Sequence, residues 1–195
     1  MGNISPFFSS KNNVSISRTD KELLEGCLKQ DRKSQRKLYE KYASKMLVVC
    51  MRYAKTKEDA EDIMIEGFVK VFSGLDKFKQ ESSLETWIHS IMVNASISYF
   101  RKNNKHYVVS SLDDENVEIP SSNDLDGLAH LTGKDLLKIL QQMPEHLKCV
   151  FNLVAFEGYD YEKISQELGI NVGTARSRMS KGKAWLQERI YQEQK

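Results

Sequence analysis

The chain has 195 residues, 40% of them apolar, and carries a net charge of only +2. That length suits one or two domains with their own cores. A near-neutral balance rules out a global electrostatic field for nucleic acid, so any such interface has to be a local patch. No apolar run approaches the roughly 18 residues of a membrane span, and insertion into a membrane is not expected.

Residues 1–18 are rich in Ser and Asn, lack periodicity, and read as a mobile tail. No basic region followed by an apolar core marks a signal peptide, and Pro6 stands where a myristoylation signal wants Ser or Thr. Cys27, Cys50 and Cys149 are odd in number and far apart, which fits reduced thiols in a cytoplasmic protein.

A short helix is expected from Thr19 through Leu23, Leu24, Cys27 and Leu28. A second runs from about Lys33 to Ala54, with Leu38, Tyr42, Met46, Val49 and Tyr53 on one face. Thr56 is placed to cap a third, whose stripe is Ala60, Ile63, Met64, Gly67, Phe68, Val71, Phe72 and Leu75. The period fails over Lys77–Ser83, which reads as a loop. A fourth helix then carries Trp87, Ile88, Ile91, Ala95 and Tyr99 and ends in Arg101 and Lys102. No strand-like alternation is present, so an all-α bundle is expected over residues 19–105.

Residues 106–131 contain six acids and no Lys or Arg, together with Pro120 and a Ser-Ser-Asn run. This composition predicts a flexible, self-repelling linker and a domain boundary. Thr132 then caps a new helix, and Pro144 suits the first turn of the next. Residues 132–195 form a second all-α domain.

The stretch Asp160–Lys183 has the most specific pattern. Asp160 is an N-cap, Ile164 and Leu168 lie one turn apart, and Gly169 falls where a left-handed residue would end the helix. Ile170 plugs the corner and Asn171 caps the next helix. This is a helix-turn-helix, whose second helix can enter a major groove. On that helix Val172, Ala175, Met179, Gly182, Leu186 and Ile190 face inward. Gly173, Thr174, Ser177, Ser180 and Lys181 face outward, with Arg176 and Arg178 on the flanks. From Val172 to Ile190 five cations oppose Glu188 alone. Charge runs are usually solvated faces, but turn, caps and polar face coincide here, which points to DNA recognition.

No convergent catalytic constellation is found. The four histidines are scattered, no metal-ligand spacing or Gly-x-Ser-x-Gly elbow occurs, and no Gly-rich phosphate loop is seen. The carboxylates Glu58, Asp59, Glu61 and Asp62 lie mostly on one solvated helical face. No enzyme activity, metal or cofactor is expected.

The run MPEHLKCVFNLVAFEGYDYEKISQELGINVGTARSRMSKGKAWL resembles the C-terminal domain of extracytoplasmic-function (group IV, sigma-70 family) RNA polymerase sigma factors. Shared features are Glu-Gly-x-x-Tyr, Leu-Gly-Ile and Gly-Thr-x-x-Ser-Arg. KEDAEDIMIEGFVKVF and ETWIHSIMVNASISYFRK resemble the N-terminal domain of the same family. The resemblance covers roughly residues 20–103 and 132–191. The sequence departs from the pattern at Ile65 (usually Gln), Ser98 (usually Asp), Met143 (usually Leu), Ser165 (usually Ala) and Ala175 (usually Val). Ser165 and Ala175 trim apolar volume between the two helices, which suggests looser packing there.

The resemblance implies a sigma region 2 domain over 19–105 and a sigma region 4 domain over 132–195. Asp62, Ile65, Glu66 and Val69 would dock on the clamp of the largest β-type subunit of core RNA polymerase. Lys79, Gln80, Ser82, Ser83, Asn94, Arg101 and Lys102, with Lys105, would handle the −10 element. There, loss of stacking is offset by contacts to an extruded base and to phosphate. Trp87 is expected in the core rather than as a stacking platform. Thr174, Arg176, Ser177, Arg178, Ser180 and Lys181 would bind −35 promoter DNA. The family commonly has an anti-sigma factor that occludes the polymerase-binding surfaces. The alternative is a helix-turn-helix activator that is not a polymerase subunit, but an all-helical first half lacks the α/β receiver domain such a regulator normally carries. An all-α adaptor that never touches DNA would leave the basic recognition face unexplained.

Overall fold

The computed structural model describes residues 16–103 and 132–193, and these are α-helical apart from short connections. The expected tail up to residue 15, Lys105 and the acidic linker lie outside the described residues. The chain divides into two compact units, with the boundary inside the fourth helix between Ser96 and Ile97.

In the first unit α1 (Arg18–Leu28) begins one residue earlier than expected, because Ser17 caps it. The Asp20 amide donates to Ser17 Oγ at 3.1 Å and the Ser17 hydroxyl donates to the Asp20 carboxylate at 2.7 Å. Ile16 is buried, although it falls in the segment read as tail. Asp20 also fastens α1 to α2 (Arg32–Met51), accepting from Lys41 Nζ at 2.6 Å and Tyr42 Oη at 2.7 Å. Burial opposes its ionisation, yet hydrogen bonds from Lys41, Ser17 and Tyr42 and the Lys41 charge hold the carboxyl below the usual range.

The expected α2 stripe is buried throughout: Leu38, Tyr42, Met46, Val49 and Tyr53. Leu28, by contrast, is half exposed at the end of α1. Thr56 opens α3 (Lys57–Gly74) with a capping box, its hydroxyl accepting from the Asp59 amide while the Asp59 carboxylate accepts from Thr56 N–H. The α3 core face matches expectation, with Phe72 only half-buried. A single 3-10 turn (Leu75–Lys77) ends it. Then come the 78–83 loop and α4 (Leu84–Asn103). Gly67 lets α3 approach Met92 of α4 closely, and Lys45 pairs with Glu85 at 2.9 Å to tie α2 to α4.

The face of α4 differs from the expectation. Its buried residues are Leu84, Ile88, Met92, Val93, Ala95, Ser96, Ile97 and Phe100, whereas Trp87, Ile91 and Tyr99 are half-exposed. Apolar side chains run almost all the way round this helix, so periodicity cannot select one stripe. Trp87 sits at the core's edge, its ring 5.2 Å from that of Phe78.

The second unit contains, besides the end of α4 from Ile97, α5 (Gly133–Gln142), α6 (Glu145–Ala155), α7 (Tyr161–Leu168) and α8 (Val172–Glu193). Thr132 and Asp135 form the capping box of α5. Pro144 stands at the cap of α6, one position before its first turn. Helix α8 packs against α5, α6 and α7, and α7 against α6. Gly182 faces α6, where an added Cβ would lie 3.6 Å from Phe151 Cβ and 3.7 Å from the Leu147 carbonyl, in ordinary contact. Among the described residues no helix is long and apolar enough to cross a membrane.

The three cysteines are free and buried. Burial pushes the thiols of Cys50 and Cys149 up to about 12, the latter against the opposing pull of the Arg178 and Lys148 charges. Both remain protonated and act as small apolar side chains.

Candidate nucleic-acid interface

The turn between α7 and α8 is built as its residues dictate. Asp160 accepts from the Lys163 amide at 2.7 Å and starts α7. Gly169 ends it with φ 66°, a left-handed conformation that costs a residue with Cβ far more than glycine. Ile170 is buried at the corner, and Asn171 Oδ1 accepts from the Thr174 amide at 2.6 Å to start α8. Ser165 adds a tie that spacing did not reveal: its hydroxyl donates to the Ile170 carbonyl at 2.6 Å. The looser packing expected from a serine here is therefore countered by a hydrogen bond across the turn.

Helix α8 buries Ala175, Met179, Gly182, Leu186 and Ile190 as expected, with Val172 half-buried. Its outward arc is narrower than the sequence suggested. Arg176 is exposed, and Ser177, Ser180 and Lys181 are half-exposed beside it. Thr174 and Arg178, read as outward or flanking, are 3% and 1% exposed. The cause is geometric. Arg178 lies only about 60° round the helix from Ala175, and a helix packed on three neighbours buries a wider arc than a stripe at one interface. Neither side chain is on the surface that could meet a base edge. Lys148 and Asn152 of α6 are also buried in this unit, which apolar periodicity gave no means of finding.

Arg176 has a defined setting. Its guanidinium carbon lies 5.7 Å from the centroid of the Tyr161 ring, on the first turn of α7. Its Nη2 is 4.0 Å from Glu162 Oε1, outside hydrogen-bonding range, with 63% of the Arg176 side chain exposed. Lys163 lies 3.5 Å from the centroid of Tyr159, so two aromatic rings flank the Asp160 cap, each facing a cation.

In the first unit the loop between Phe78 and Leu84 is anchored at both ends. Phe78 is buried against Trp87, and Ser83 Oγ accepts from the Thr86 amide at 3.0 Å. Ser83 is thus committed to capping α4. Between these anchors Lys79 and Gln80 are exposed and Ser82 is half-buried. Gln80 has φ 59°, a left-handed backbone unusual for a residue with a side chain. Asn94 is exposed on α4, and Arg101 and Lys102 are exposed on its last turn.

On α3, Ile65 and Val69 are 55% and 62% exposed, one turn apart, flanked by the exposed carboxylates of Asp62 and Glu66. Glu66 accepts from Lys70 Nζ at 2.6 Å. An apolar spot ringed by charge on a solvated helix is suited to a protein partner rather than to nucleic acid. No group of three or more His, Cys, Asp or Glu side chains that could hold a metal ion occurs among the described residues.

The family model described as Sigma-70 region 2 matches residues 38–106, and that described as Sigma-70, region 4 matches residues 133–186. Together they span more than half of the chain. The ECF RNA polymerase sigma-E factor of Haemophilus influenzae is 27% identical over 181 residues, covering 88% of this chain and 95% of that protein. The RNA polymerase sigma-H factor of Pseudomonas aeruginosa is 27% identical over 169 residues, covering 82% and 88%. Among solved structures, the sigma factor RpoE in complex with the anti-sigma factor NepR from Bartonella quintana aligns over 78% of this chain and 94% of that one. That match has 22% identity and a TM-score of 0.45.

Proposed function

Because the chain belongs to the sigma-70 family of RNA polymerase sigma factors, of the extracytoplasmic-function type, we propose the following division of labour for its surfaces. The chain is a dissociable initiation subunit that binds core RNA polymerase and directs promoter-specific transcription. It works in the cytoplasm and performs no chemistry itself. Residues 19–105 engage polymerase and the −10 element, residues 132–195 the −35 element, and 106–131 join them.

The observation that carries this reading is the helix-turn-helix with Arg176 exposed beside Ser177, Ser180 and Lys181. These four read or grip the −35 duplex, while Thr174 and Arg178 support the helix from inside. Lys79, Gln80, Ser82, Asn94, Arg101 and Lys102 serve the −10 element, and Ser83 holds their loop in place. Asp62, Ile65, Glu66 and Val69 dock on the clamp of the largest β-type polymerase subunit. An anti-sigma factor covering the polymerase-binding surfaces belongs to the same reading, as the family resemblance implies.

The docking surface is tested by reversing its charge. Asp62→Lys with Glu66→Lys should abolish binding to core polymerase, because interface hot spots are few and central. Thermal stability should fall only slightly, chiefly through loss of the exposed Glu66–Lys70 pair, worth about 0.2–0.5 kcal/mol. Fluorescence anisotropy with core polymerase, alongside a thermal melt, gives both readouts. Undiminished binding by the folded double variant would refute this docking surface.

A further inference from the structure

The Arg176 guanidinium carbon lies within cation–π range of the Tyr161 ring. A guanidinium stacked on an aromatic face keeps its edge N–H donors free, and bidentate readout of a guanine uses those donors. The two can therefore operate together. Glu162, at 4.0 Å, is too distant to take one of those donors, and Arg176 donates no hydrogen bond to any described residue. The Asp160 cap fixes the start of α7, so Tyr161 and Glu162 are held on its first turn next to the recognition helix.

We propose that Tyr161 is a positioning residue for base readout: its ring pre-orients the Arg176 guanidinium so that the donor edge is presented to DNA. This rests on the reading of Arg176 as a −35 contact. An arginine free to sample its rotamers loses that freedom on binding, and a planar fork already held by an aromatic face loses less. Any phosphate in reach satisfies an unoriented arginine, so the ring should favour sequence discrimination more than general affinity.

The test uses the full chain assembled with core polymerase and promoter duplexes randomised over the −35 element. Selection with wild type and Arg176→Ala identifies the base pair whose preference depends on Arg176. Competition between duplexes differing at that pair then measures discrimination by Tyr161→Phe, Tyr161→Leu and Tyr161→Ala. Tyr161→Phe keeps the π face and should match wild type. Tyr161→Leu keeps bulk without the π face and, like Tyr161→Ala, should lower discrimination about two- to five-fold, the size of an exposed cation–π contact. In the Arg176→Ala background neither should have a further effect, and the salt dependence of binding should stay unchanged. Equal loss on every duplex, or loss persisting without Arg176, would assign Tyr161 a packing role and overturn the proposal. So would unchanged discrimination in Tyr161→Leu. If Arg176→Ala itself leaves every base preference intact, the −35 assignment of Arg176 fails, and the positioning role with it.

Discussion

Asp20 concentrates several interactions on one carboxylate: the cap of α1, the Lys41 ammonium and the Tyr42 hydroxyl. Its side chain is 13% exposed, so the hydrogen bonds are little screened. Asp20→Asn should cost about 1.5–3 kcal/mol at pH 7, the usual value of a hydrogen bond to a charged group. The carboxyl is depressed in the folded state. Its stabilisation is therefore complete above the ordinary value of 3.8 and is lost as pH falls through the folded value. Urea melts at pH 7 and pH 3 should show the variant's deficit shrinking at the lower pH; a deficit independent of pH would show that charge is not what matters there. Single residues are also where the sequence is least legible. The helical spacing of polar and apolar residues puts Thr174 outside and Arg178 on a flank. It cannot register that a third neighbouring helix widens the buried arc of α8. Nor can it show the Ser165 hydroxyl reaching the Ile170 carbonyl, because a serine's spacing says nothing about where its proton goes.

Helices are more legible than their faces. Thr56, Thr132, Asp160 and Gly169 act as the caps their chemistry implies, since capping is decided by three or four consecutive residues. The buried face of α4 departs from its apolar spacing because it is set by neighbours distant in sequence. Two glycines show the same dependence on context. In the middle of a helix, glycine is worse than alanine by about 0.5–1 kcal/mol. At Gly182 an added Cβ meets only ordinary contacts with Phe151 and Leu147, so Gly182→Ala should stabilise by about that amount. At Gly67 it would overlap the sulfur of fully buried Met92, and Gly67→Ala should instead destabilise by about 1–3 kcal/mol. Denaturant melts of the two variants give the signs directly. A stabilising Gly67→Ala would mean that the Met92 thioether gives way to the added methyl.

Over the whole molecule, charge is distributed by surface rather than in bulk. A chain of net charge +2 carries one helix, α8, with cations on its outer arc and another, α3, with carboxylates round an apolar spot. The first suits phosphate and base edges, the second a protein. This separation is legible in the sequence because both surfaces lie on single helices, where 3.6-residue spacing brings their members together. Possession of both distinguishes an initiation subunit from a helix-turn-helix activator acting outside polymerase. The decisive measurement is run-off transcription with purified core polymerase on a library of promoter fragments. Core with the wild-type chain should yield discrete transcripts whose start sites share −35 and −10 elements, and core alone should yield none. An active core that gains no start-site specificity from the chain, while the chain alone binds the same fragments tightly and specifically, would contradict a sigma-factor role and favour the activator.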